Sequence, residues 1–119
     1  MKIHFMPEPE DHDYPAALSY LCLIYDEIIA AHFVERLKNA SVMQFKAKDI
    51  FRASGLSLLG VSNGHVEKDL KKIKDGKQLS PILIVRDDQS RRCIIADGYH
   101  RMCAIYSIDE DAVIDCKIV

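Results

Sequence analysis

A chain of 119 residues, 49% of them hydrophobic and 29% charged, is sized and composed for one globular domain. Its formal net charge of −2 excludes a protein built mainly to coat nucleic acid, whose surface would be strongly basic. The charge-free stretch Tyr14 to Tyr25 is too short to span a bilayer, and the acidic Glu8, Glu10, Asp11 and Asp13 do not suit a secretory signal, so a cytoplasmic protein without membrane association is expected.

Asp13-Tyr14-Pro15 reads as a helix start, with Pro in the first turn. One long helix is predicted from there to Lys38-Asn39, carrying the apolar set Leu18, Leu21, Tyr25, Ile28 and Ala31, with Leu23, Ile24, Ile29 and Phe33 widening the stripe. Residues 1–40 thus form a helical extension packed on the rest, and the wide stripe suits either core packing or a homodimer through this helix. Residues 41–119 carry the remaining elements. Val42 to Ala47 alternates like a strand, Asp49 to Ala53 fits a short helix closed by Gly55, and Leu56 to Gly64 reads as a loop. Val66 to Asp75 is a helix ended by Gly76, with Val66, Leu70 and Ile73 on its buried face and lysines around it. Pro81 introduces Ile82-Leu83-Ile84-Val85, a continuous apolar run expected of a strand covered on both faces. A turn at Asp87 to Ser90 returns the chain as Arg92 to Ala96, a helix follows from Tyr99 to about Ser107, and Ala112 to Val119 alternates as the last strand. The class is α+β, a small mixed sheet with flanking helices.

The four cysteines, Cys22, Cys93, Cys103 and Cys116, show no CxxC pairing and sit in apolar contexts where a thiol packs as a small hydrophobe. His100 and Cys103 could share a helix face, but two ligands do not make a closed zinc site, and no metal site is assigned.

The chemistry concentrates where the strand ending at Ala96 meets the helix beginning at Tyr99. A helix start leaves about four backbone N–H groups unpaired and carries partial positive charge, so anions settle there. Gly98 permits a positive φ and close approach to a ligand, and His100 and Arg101 can donate charge-assisted hydrogen bonds to phosphate or carboxylate. Basic residues are unfavourable at the positive end of a helix, so two of them there point to a negative partner. His65 and Lys68, in the opening turn of the preceding helix, are further candidates for the same anion site. Asp97 reads either as a turn residue or as an acidic group of the site.

Lys68 to Gly76, then Pro81 to Val85, then Ile95-Ala96-Asp97-Gly98-Tyr99-His100-Arg101 with Ala104 following, resembles the ParB/sulfiredoxin fold over roughly residues 42 to 119. The resemblance implies a nucleotide phosphate cradle at this turn, serving ATP in sulfiredoxin, ADP or ATP in free-serine kinases and CTP in chromosome-partitioning proteins. It would place Gly98, Tyr99, His100 and Arg101 around phosphate, and Asp97 in the acidic position of the serine-kinase branch, orienting a hydroxyl or holding Mg²⁺. Tyr99 stands where sulfiredoxin has its reactive cysteine, which argues against sulfiredoxin chemistry. No helix-turn-helix DNA reader follows the motif before Val119.

The expectation is therefore a small nucleotide- or phosphate-binding protein, a phosphotransferase or nucleotidase with Asp97 as its acidic group. The alternatives are a non-catalytic nucleotide-sensing or protein-binding module and a ParB-like accessory protein associated with nucleic acid. Glu67, Asp69 and Asp49 are the nominal options for a second acidic group near Asp97.

Overall fold

The computed structural model describes residues 2–60 and 62–119. The first half contains β1 (His4–Phe5), α1 (Asp13–Leu21), α2 (Glu27–Asn39), β2 (Met43–Lys46) and α3 (Ala47–Ser54). The second contains α4 (Gly64–Lys74), β3 (Gln78–Leu79), β4 (Ile82–Asp87), β5 (Arg92–Asp97), α5 (Tyr99–Ile108) and β6 (Val113–Ile118).

β4 organises the sheet. Every residue from Pro81 to Val85 is buried, and because strand side chains alternate between faces, such a run needs cover on both. Ile82 and Ile84 join one core with residues of α3, α4 and α5, while Leu83 and Val85 join a second with Ala17, Leu21, Val34 and Leu37 of α1 and α2. β5 pairs antiparallel and β6 parallel with β4, and β2 pairs antiparallel with β6, so the four-stranded order is β2-β6-β4-β5. The result is a mixed α+β domain in three layers.

The N-terminal helix is not continuous. It breaks after Leu21, and α2 restarts where the Asp26 carboxylate accepts the Ile29 N–H at 2.9 Å as an N-cap. A single helix from residue 13 to 39 would extend about 40 Å, roughly twice the span of a six-residue strand, and would run off the sheet it has to cover. The break resets the helical phase. Ala30, Val34 and Leu37 face the core, while Ile28 of the expected stripe is 84% exposed and Ala31 is exposed as well. Cys22, in the same corner, is exposed rather than packed, whereas Cys103 and Cys116 are buried. Burial pushes the Cys116 thiol up to about 12, which keeps it protonated and inert. Replacing Asp26 by Ala is expected to remove about 1 kcal/mol of stability, readable in urea denaturation, without affecting the site described below.

Two further features have no local signal. β1 pairs in parallel with β3, and the Met6 N–H continues the ladder to the Leu79 carbonyl at 2.8 Å, so the N-terminal segment is threaded beside the chain entering β4. Lys117, which alternates along β6 with the apolar Cys116 and Ile118, is only 1% exposed because α1 and α2 cover its face of the sheet. Its Nζ donates to the Lys38 carbonyl at 3.2 Å and pairs with Glu8 at 3.4 Å. No helix among the described residues is long and apolar enough to cross a membrane.

Candidate functional site

β5 ends at Asp97, and Gly98 turns the chain into α5 with φ +104°. No side chain caps α5 at Gly98, so the N–H groups of its first turn face outward without a capping acceptor. A Cβ on Gly98 would lie 2.7 Å from Arg101 Nη2 and 2.9 Å from Ile82 Cγ1. The Arg101 guanidinium therefore folds back directly against the glycine. Its Nη2 donates to Asp97 Oδ2 at 2.9 Å, and its Nε is buried without a hydrogen-bond partner.

α4 forms the opposite wall. The Asn63 side-chain oxygen accepts from the N–H groups of His65 at 3.0 Å and Val66 at 3.3 Å, fixing the start of the helix. That places the His65 ring against His100, with centroids 4.8 Å apart. Lys68 and Lys72 follow on the same helical face as His65. With His100, Arg101 and Gly98 they line an open cleft of about 250 Å³, joined by Asp69 and Asp97. The sequence-expected residues Asp97, Gly98, His100, Arg101, His65 and Lys68 are thus brought to one cleft. Lys72, one of the lysines around this helix, joins them, and its spacing of three and four from His65 through Lys68 is the sequence signal for it.

Tyr99 has a different place. Its hydroxyl donates to the Ser57 carbonyl, holding the loop after α3 against the start of α5, and Leu59 N–H reaches the Cys103 sulfur at 3.5 Å. Burial, with the Cys103 thiol beside it, pushes the Tyr99 phenol upward, so it remains a donor at neutral pH.

Of the three acidic residues considered from sequence as a second group near Asp97, one reaches the cleft. Asp69 lines the cleft, but Asp49 pairs with Arg52 at 2.7 Å on α3, and Glu67 is exposed on α4. A further acidic neighbour, missed from sequence, is Asp13 at the start of α1. It is 2% exposed, accepts from the Ser80 hydroxyl and from the Glu10 N–H at 3.2 Å, and interacts with the Asp97 carboxyl. Burial pushes Asp97 upward, the Arg101 guanidinium opposes this, and the Asp13 carboxyl adds to it. Glu10, His12 and Asp13 are the group of described residues whose ligand atoms lie within 4.8 Å of one another. The Asp13 oxygens in that group are already engaged by Ser80, the Glu10 amide and His12, the last at 3.4 Å.

The arrangement offers cationic and N–H donors on two helices and a carboxyl pair at their edge, which suits a multiply charged anion and proton transfer next to it. Comparison of the chain with protein-family models, with curated proteins and with solved structures finds no match.

Proposed function

We propose that this chain binds the phosphate groups of a nucleotide, ATP, ADP or CTP, in the cleft between α4 and α5, and that it does so as a phosphotransferase of ParB/sulfiredoxin-like type. The observation that carries the reading is Arg101. Its guanidinium is held by Asp97 and Gly98 at the floor of a cleft rich in His and Lys, with a buried Nε that has no partner. A buried unpaired donor costs about 1–3 kcal/mol, so the guanidinium gains by turning toward a phosphate oxygen in the cleft. The start of α5, which no side chain caps, lies at the same cleft through Gly98 and His100.

The transfer half of the reading rests on Asp97. A carboxyl raised by burial and by a neighbouring acid is a stronger proton acceptor than an ordinary one, and it stands at the edge of the phosphate site. Mg²⁺ bound with the nucleotide would neutralise charge on the phosphates, with Asp97 and Asp69 the carboxylates that line the cleft to hold it.

Calorimetric titration with ATP, ADP and CTP in the presence of Mg²⁺ tests the reading. Arg101→Ala is expected to weaken nucleotide binding about 10- to 100-fold, the worth of a hydrogen bond to a charged group. Absence of nucleotide binding by the native protein, or binding indifferent to Arg101, would overturn it. Binding without transfer to any hydroxyl acceptor would leave a nucleotide-sensing module.

A further inference from the structure

On the other side of the Gly98 turn lies a second cleft, of about 440 Å³, that shares Asp97, Gly98 and His100 with the first. Its remaining walls have another character. Ala16 and Tyr20 of α1, Leu56 of the loop after α3, and Ile95 and Tyr99 make it largely apolar, and no Lys or Arg lines it. Tyr20 and Leu56 are each 40% exposed, large apolar side chains held open to solvent at the rim. Tyr99 is fixed by its hydrogen bond to Ser57, so the loop that carries Leu56 is anchored to the site.

We infer that this cleft is the acceptor site: it takes a neutral compound with an apolar or aromatic body and a free hydroxyl directed at Asp97. The inference rests on the phosphoryl-transfer reading above and names the substrate class for it. A second phosphate or an acidic acceptor would find no lysine or arginine here, and a fully polar acceptor would leave Tyr20 and Leu56 facing water. Asp97, at the boundary of both clefts, is the one carboxylate lining each of them. In the transfer, the acceptor oxygen forms a bond to the terminal phosphorus of the nucleoside triphosphate. The anhydride P–O bond breaks toward the departing diphosphate, and the acceptor proton passes to the Asp97 carboxylate. α1 then acts as a specificity wall, which gives the N-terminal helices a role beyond covering the sheet.

The two clefts can be tested separately by amide chemical-shift titration of the whole chain. 2-Phenylethanol is expected to move the amides of Tyr20, Leu56 and Tyr99, glycerol to leave them in place, and pyrophosphate to move those of Lys68, Lys72 and Arg101. Tyr20→Ala and Leu56→Ser, both at exposed positions, are each expected to weaken 2-phenylethanol binding about tenfold while leaving pyrophosphate binding unchanged. If 2-phenylethanol fails to move the three amides, or glycerol moves them equally, the acceptor site is overturned whatever pyrophosphate does. If 2-phenylethanol binds as expected and pyrophosphate does not bind, the apolar hydroxyl site stands and the phosphate reading falls.

Discussion

Gly98→Ala is expected to unmake the cradle and destabilise the fold together. At φ +104° an L-residue is strained whatever the space around it, at a cost of about 1–2 kcal/mol. Space is also lacking. The new methyl would meet Ile82 Cγ1 at 2.9 Å, and Ile82 is fully buried in β4 with no room to yield. The group that can move is the Arg101 guanidinium, 2.7 Å away at Nη2 and 3.1 Å at Nε. Moving it breaks the Asp97 bond and displaces the donor proposed to hold phosphate. A total loss of about 2–4 kcal/mol in denaturation is expected, with nucleotide affinity down by about two orders of magnitude. Gly76→Ala provides the internal comparison, because Gly76 also has a positive φ, +71°, but nothing lies within 4 Å of its would-be Cβ. That variant should lose about 1 kcal/mol through backbone strain alone and bind nucleotide normally. Equal losses in the two variants with nucleotide binding intact in both would show that the Gly98 contact with Arg101 does not shape the site.

What could be read from the sequence divides along the range of the physical signal. Strand β4 was legible because four consecutive apolar residues behind a proline carry their own evidence for burial on two faces. The Gly98 turn was legible because strand, glycine and basic residues occur within one short segment. Gly55 and Gly76 likewise end helices with positive φ as their positions implied. The break between α1 and α2 was not legible from apolar periodicity, since residues 21 to 25 and 28 to 29 are all apolar and more than one helical phase could be drawn through them. Asp26 before Glu27 was the available sign, a capping acid ahead of an acidic first turn. Tertiary pairing was out of reach altogether. Nothing local says that β1 lies beside β3, that Lys117 finds Glu8, or that Asp13 meets Ser80 and Asp97 across the fold. Asp13 reads from sequence only as part of a helix start; the cap position belongs to His12, and the Asp13 carboxylate turns inward.

That carboxylate makes the sharpest prediction about the site. Asp13→Ala deprives the buried Ser80 hydroxyl of its acceptor and removes one of the two acceptors of the Glu10 amide, so a loss of about 1–3 kcal/mol is expected. Asp13→Asn keeps an acceptor oxygen and should lose less, and it isolates the electrostatic part. In the native fold Asp97 is raised first by burial and then by Asp13, with Arg101 acting against both. A raised folded-state pKa means that Asp97 keeps its proton over a window above the ordinary carboxylate range in which the unfolded chain has already lost it. Its contribution to stability is complete below that range and is lost as pH rises through the raised value. Asp13→Asn removes one of the two upward influences and should draw in the upper edge of the window. Arg101→Ala removes the downward one and should extend it. Carbon-detected NMR of the Asp97 carboxyl, alongside urea denaturation across pH, reads both displacements. A purely structural Asp13 would lower stability by the same amount at every pH and leave the Asp97 titration where it was. Opposite displacements in the two variants would instead establish Asp13 as the positioning residue that sets the proton affinity of Asp97 from the far end of the chain.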